Sequence, residues 1–261
     1  MEKKLNYQNE ITIENKIIGN NQPCYIIAEI GVNHNGNLIL AKKLIDAAID
    51  AGADAVKFQK RNLSSLYRKE SLENPNIESQ GFEILLAELK EVELSKKDYF
   101  SIVNYCKEKK ITFLCTPWDV ASVDFLEELD TPAYKIASGD MTNFPLIQYI
   151  SKIKKPLIIS TGMSRLEEIE KMVSFVKMQN TPFVLLHANS TYPSPIESLN
   201  VTLISEYAKK FNVLIGFSDH EVGIIGSLTA ANIGAVIIER HITLDKKMKG
   251  LDHSSSLEPN E

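Results

Sequence analysis

Eight short apolar runs, each followed at helix-length distance by the next, constrain this chain more than any other feature. They are Tyr25–Ile30, Ala55–Gln59, Thr112–Cys115, Ala133–Ala137, Leu157–Ser160, Phe183–His187, Leu214–Phe217 and Val236–Glu239. Most are nearly continuous in apolar residues, as parallel strands covered on both faces must be. Amphipathic segments lie between them: Leu38–Ala51, Lys97–Lys109, Val120–Leu129, Pro145–Lys152, Leu166–Gln179, Leu199–Lys210 and Val222–Ile233. In the first of these Leu44, Ala47, Ala48 and Ala51 recur at helical spacing, and Gly52 ends the run. Strand and helix alternating in this way predict an α/β fold, a closed (β/α)8 TIM barrel. An open doubly wound sheet fits less well. No Gly-x-Gly-x-x-Gly follows the first run, and polar residues cluster after nearly every run rather than at one switch point.

The run Ile11-Thr12-Ile13 predicts a small strand, so residues 1–23 read as an N-terminal extension with a short hairpin and residues 24–261 as the barrel. The segment Arg61–Glu93 is long for a strand-to-helix connection and predicts a lid or a second helix. Little chain follows the eighth run, which suits either an excised domain or a natural truncation.

Composition narrows the function classes. The 261 residues carry a formal charge of -5, which argues against a general nucleic-acid binder but leaves room for local anion sites. Cys24, Cys106 and Cys115 are too few and too scattered for a disulfide framework or a structural zinc site. Cys24 and Cys115 sit in apolar runs and are expected to be buried thiols, which suits a reducing, cytoplasmic setting. The opening MEKKLNYQNE lacks the apolar core of a signal peptide. Val222–Ile238 contains Asn232 and Gly234 and reads as a buried helix and strand, not a membrane span.

Barrel chemistry sits where strands end. His220 follows the seventh run and His241 the eighth, with one helix-length segment between them. Two imidazoles at the same end of neighbouring parallel strands can hold one divalent metal on an open face. The plainer reading is one capping histidine and one core histidine. Lys57 and Lys135 lie inside apolar runs, where an unpaired ammonium is costly. They either point into the mouth toward an anion, or snorkel to solvent or pair with a core carboxylate. Glu29 is either a general acid–base or an ion-pair partner of Lys57 or Lys135. Glu239 is either a lysine partner or a group orienting a metal-bound histidine. Gln59 alternates with Lys57 and faces the same way. Thr116, Ser138, Ser160, Ser190 and Ser218 offer hydroxyl donors, and each could equally be a helix cap. Ser164 is expected to be only a cap. His187 is ambiguous, His34 and His253 are expected to be solvated in polar loops, and Asp252 is either in a loop that folds over the mouth or, as the favoured reading, in a solvated turn.

Several runs resemble the sialic acid synthase family: Ile27-Ala28-Glu29-Ile30-Gly31-Val32-Asn33-His34-Asn35-Gly36, Val56-Lys57-Phe58-Gln59, Tyr134-Lys135-Ile136-Ala137-Ser138-Gly139-Asp140, Ser160-Thr161-Gly162-Met163 and Gly216-Phe217-Ser218-Asp219-His220. The tail from Glu239-Arg240-His241 through Asp252-His253 to Leu257-Glu258-Pro259 does so too. The resemblance implies an enzyme that condenses phosphoenolpyruvate with an N-acetylhexosamine, such as N-acetylmannosamine or its 6-phosphate, releasing phosphate. It implies Mn2+ or Mg2+ on His220 and His241. Lys57, Thr116, Lys135, Ser138, Ser160, Ser190 and Ser218 would surround phosphoenolpyruvate. Glu29, Gln59, Tyr192 and Asp252 would face the sugar and the metal-bound water. Some relatives have asparagine where Ser190 stands. The family is usually a homodimer in which a small antifreeze-like C-terminal domain reaches the partner's site, and residues 24–261 are expected to hold the barrel without that domain. Two other readings stand beside this one: a class I aldolase with Lys135 as Schiff base, and a barrel that binds metal and phosphoenolpyruvate without turnover.

Overall fold

A computed structural model describes residues 9–78 and 81–261. Strands β1 (Glu10–Ile13) and β2 (Lys16–Gly19) pair antiparallel, with Ile11 opposite Ile18. Eight further strands close into a barrel: β3 (Tyr25–Gly31), β4 (Ala55–Lys60), β5 (Thr112–Pro117), β6 (Tyr134–Ile136), β7 (Leu157–Ser160), β8 (Phe183–Ala188), β9 (Leu214–Asp219) and β10 (Ile237–His241). They neighbour one another in chain order, and β10 closes on β3. Register is parallel throughout the described pairs, as for Lys57 beside Leu114 and Glu239 beside Ser218. Each expected strand is present within two residues of its apolar run.

The helices are α1 (Leu38–Asp50), α2 (Leu63–Leu66), α3 (Lys69–Glu73), α4 (Phe82–Glu91), α5 (Lys96–Lys109), α6 (Val120–Glu128), α7 (Phe144–Ser151), α8 (Leu166–Met178), α9 (Leu203–Phe211) and α10 (Ile225–Asn232). Their starts are encoded locally. The Asn37 side chain accepts from two amides of α1, and Ser95 with Asp98 forms a capping box on α5. Three expectations need correction. Ser164 does not cap α8; Arg165 holds that position, its N–H donating to Glu168. The helix expected from Leu199 starts at Leu203, because Asn200 is left-handed at φ 47°. The helix expected from Val222 starts at Ile225, because Gly223 has φ 110°. The connection Arg61–Glu93 holds α2, α3 and α4, so the second-helix expectation stands.

Contacts group the chain into two compact units. The first comprises residues up to Ile27, Pro132–Arg240 and Glu261; the second comprises Ala28–Thr131 and His241–Asn260. In the first, the His187 and Phe217 rings stack at 5.6 Å and Phe144 meets Phe175 edge-on. In the second, Phe58 stacks between His34 and Phe113 and meets the edge of Tyr99. Among the described residues no helix is long and apolar enough to cross a membrane.

Candidate active site

In the first unit, strand ends gather hydroxyls around a buried lysine. Lys135 Nζ donates to Ser160 Oγ at 2.7 Å and to the Ile136 carbonyl at 3.0 Å. It stands 3.9 Å from Glu239 Oε1, which accepts from Ser218 Oγ at 2.9 Å. Beyond β7 the Gly162 N–H donates to Ser138 Oγ at 3.1 Å. A Cβ on Gly162 would stand 2.5 Å from Ser190 Oγ and 3.1 Å from Ser138 Oγ, so only glycine leaves these hydroxyls room. Lys135, Ser138, Ser160, Ser190 and Ser218 therefore belong to one patch rich in hydrogen-bond donors, with Glu239 as its carboxylate. Donors of this kind suit a phosphate or carboxylate ligand.

His220, also in this unit, has Nδ1 at 2.7 Å from the Asn189 carbonyl. A carbonyl only accepts, so this nitrogen carries a proton, and in the neutral ring Nε2 is the nitrogen left with a lone pair. Tyr192 lies against the same imidazole, ring centroids 3.9 Å apart. His187 is buried, with Nε2 at 2.7 Å from the Leu199 carbonyl, and burial lowers its pKa. Its ambiguity resolves toward structure.

In the second unit a second lysine carries a different set. Lys57 Nζ lies 2.8 Å from Glu29 Oε2 and donates to Thr116 Oγ1 at 3.1 Å. Gln59 Nε2 donates to Glu29 Oε1 at 2.9 Å, and Arg61 donates to Gln59 Oε1. Glu29 is thus an ion-pair partner whose second oxygen orients Gln59. Gly31, at φ 56°, makes this crowding possible: a Cβ there would meet Glu29 at 3.2 Å, Gln59 at 3.3 Å and Asp252 at 3.5 Å. Asp252 comes within 3.6 Å of His241 Nδ1. It reaches that place because the chain after β10 turns back on itself. Ile242 bridges Leu257 in parallel, Leu257 N–H donates to the His241 carbonyl, and Ser256 is bonded by Asn33 Nδ2 at 2.8 Å. The expectation of a merely solvated Asp252 is replaced by a half-buried one facing a histidine.

Two other histidines differ from expectation. His34 is buried, stacks on Phe58 and accepts from Gly36 N–H; burial pushes its pKa down to about 4, opposed by a bond with Gly31. His253 is fully buried, with Nδ1 at 2.7 Å from Thr243 Oγ1. Polar neighbours in the sequence suggested solvent, but the loops fold inward and satisfy both rings. Cys115 is buried as expected, whereas Cys24 is only half-buried.

The sequence reading missed Asp219 and Arg240. Arg240 Nη1 donates to Asp219 Oδ2 at 2.8 Å, to the Gly223 carbonyl at 2.8 Å and to Ser227 Oγ at 3.1 Å, and Nη2 donates to the Glu221 carbonyl at 2.8 Å. Burial lowers the Arg240 pKa and Asp219 opposes that shift. The signal was available: a charged residue immediately precedes each candidate histidine, inside an apolar strand.

The profile of the NeuB family matches residues 44–261. This chain belongs to the NeuB family. Among NeuB relatives it is 42% identical over 246 residues to the N-acetylneuraminate-9-phosphate synthase of Homo sapiens, covering 94% of this chain and 68% of that one. It is 42% identical over 248 residues to the N,N'-diacetyllegionaminic acid synthase of Campylobacter jejuni, covering 90% of this chain and 72% of that one. The sialic acid synthetase structure from Leptospira borgpetersenii superposes with a TM-score of 0.88 at 37% identity, over 97% of this chain and 84% of that chain. The NeuB chain is thus an enzyme of the sialic-acid synthase class, built on a barrel.

Proposed function

We propose that this enzyme joins phosphoenolpyruvate to an N-acetylhexosamine, yielding a sialic-type acid and inorganic phosphate, with a divalent ion, Mn2+ or Mg2+, on His220 and His241. The observation that carries this reading is the donor patch on Lys135, with Ser160, Ser138, the Gly162 N–H and Ser190 supplied by successive strand ends. It offers a dianionic phosphate more donors than a neutral ligand could use.

Charged and hydroxyl donors around Lys135 and Lys57 bind the phosphate and carboxylate of phosphoenolpyruvate and steady them as charge shifts. C3 of the enol forms the new bond to the sugar aldehyde carbon, and the aldehyde oxygen takes a proton. Water adds at C2 and loses a proton; breaking the C2–O bond then expels phosphate, which carries off the proton of the C2 hydroxyl and leaves the ketone. Glu29 and Gln59 orient the sugar hydroxyls, and Glu29 is the group placed to accept or return a proton. Asp252 and Tyr192 bear on the histidines and the sugar.

His220 and His241 are the residues that would hold the ion. In register, Arg240 pairs with Asp219, and each is followed directly by one of the two histidines. The Asn189 carbonyl at His220 Nδ1 would leave Nε2 of the neutral ring free to ligate. Among the described residues there is no group of three or more His, Cys, Asp and Glu that could hold a metal; an ion on two imidazoles alone would keep open positions. Such an ion would supply Lewis-acid polarisation of the sugar aldehyde.

An aldolase with Lys135 as Schiff base is less well supported. That amine must be uncharged to attack a carbonyl, yet the Ile136 carbonyl, Ser160 and Glu239 surround it with acceptors suited to an ammonium. The deciding experiment measures phosphate release from phosphoenolpyruvate with several N-acetylhexosamines, with and without Mn2+ and chelator. Metal-dependent release with at least one sugar is expected. Metal-independent activity with borohydride trapping of Lys135 would replace this proposal with the aldolase.

A further inference from the structure

Arg61 follows the last residue of β4, two positions beyond Gln59, and is half-buried. A guanidinium taken partly out of water usually sits against a carboxylate, where its fork makes two charge-assisted bonds. Arg61 does otherwise. Among the described residues it makes no salt bridge, and its Nη2 donates to the neutral amide oxygen Oε1 of Gln59. Its plane is held by Trp118, whose ring centroid lies 4.5 Å from the guanidinium carbon. Trp118 is itself tied to β4, because its N–H donates to the Lys60 carbonyl at 3.1 Å. Next to it, Asp119 Oδ2 accepts from the Asn62 N–H at 2.7 Å. The exits of β4 and β5 are thus clamped on either side of Arg61.

Gln59 is held from its other side as well. Its backbone carbonyl accepts from the Tyr99 hydroxyl at 2.6 Å, and its Nε2 donates to Glu29 Oε1 at 2.9 Å. With Oε1 turned to Arg61 and one N–H on Glu29, Gln59 has its second N–H left to give. The polar chain runs in one direction, from the Arg61 cation through the Gln59 amide to the Glu29 carboxylate and the Lys57 ammonium. Hydrogen bonds in such a chain polarise one another.

We infer that Arg61 is a positioning residue for the acceptor: it fixes and polarises the Gln59 amide, and through it Glu29, without touching the sugar. The inference rests on the reading above that Gln59 and Glu29 face the sugar.

The test is a double-mutant cycle in the full-length enzyme, following phosphate release with N-acetylmannosamine or its 6-phosphate, whichever turns over. Arg61→Met should raise KM for the sugar by roughly tenfold, the scale of one charge-assisted hydrogen bond. KM for phosphoenolpyruvate should stay within about twofold, as for an independent site. In a Gln59→Ala background the same change should move the sugar KM by less than about twofold, because a coupled pair is non-additive. Arg61→Lys keeps a point charge without the planar fork. It should also raise the sugar KM when Gln59 is present and not when it is absent, and it is read in place of Arg61→Met should that variant not fold. An unchanged sugar KM, an equal rise with and without Gln59, or a joint rise of both KM values would overturn the positioning role and leave the condensation reading standing. Absence of turnover with either sugar in the wild type would overturn the condensation reading and this inference with it.

Discussion

Replacing Arg240 with methionine should cost this fold more than almost any other single change of similar volume. The substitution removes four hydrogen bonds: to the Asp219 carboxylate, the Gly223 and Glu221 carbonyls and Ser227. The Asp219 side chain has 0% exposure, so water cannot take the guanidinium's place. It keeps bonds from Ser227 Oγ at 2.6 Å and Glu221 N–H at 3.0 Å, which soften the loss without neutralising the charge. Breaking one side of a buried pair of this kind costs about 3–5 kcal/mol. At roughly 2–4 °C per kcal/mol for a domain of this size, the melting temperature should fall by about 6–20 °C. Thermal unfolding followed by circular dichroism, with urea titration at 25 °C, reads this directly. Adding Asp219→Asn to Arg240→Met should recover part of the loss, because the stranded charge disappears. A melting temperature within about 3 °C of wild type for the single variant would refute the idea that this pair holds the turn after β9.

Charge removal at Lys57 or Lys135 (Lys57→Met, Lys135→Met) should weaken phosphoenolpyruvate binding by about 1.5–3 kcal/mol each, read by calorimetry; unchanged affinity in both would break the assignment of these lysines to the anion. His34 should make stability fall with acid. Its folded pKa of about 4 lies below the ordinary 6.5, so the unfolded chain binds the extra proton between these values. Stability should therefore be full above about pH 6.5 and drop by about 3 kcal/mol as pH falls to 4. His34→Gln should flatten that part of the urea-unfolding profile, and an unaltered slope would assign the loss to other groups. Gly31→Ala should destabilise by about 1–2 kcal/mol through its left-handed backbone and raise KM for the sugar more than for phosphoenolpyruvate, since its Cβ would press on Glu29 and Gln59.

The barrel was legible because its strands are apolar on both faces, so each run announces itself within two residues. Helix starts were less so: Asn200 and Gly223 take left-handed backbones, which apolar periodicity does not reveal. Lys57 and Lys135 could be singled out because an ammonium in an apolar run demands a partner. Which partner each has, Glu29 and Thr116 for one and Ser160 and Glu239 for the other, depends on neighbouring strands brought together only by folding. His34 and His253 were misjudged for the same reason in reverse. Their polar surroundings in sequence are the groups that satisfy them in the interior, Gly36 for one and Thr243 for the other.

The alternation at the end of β9 and β10 has a practical consequence for engineering. Ser218 and Glu239 point one way and bear on Lys135, while Asp219 and Arg240 point the other way and grip the turn leading into α10. Reactivity and scaffold are thus interleaved residue by residue yet chemically separate. A library that varies Ser218, His220 and Glu239 while freezing Asp219 and Arg240 can alter the surroundings of Lys135 on an intact backbone. One that randomises the whole segment would discard most of its members as unfolded before any chemistry could be screened.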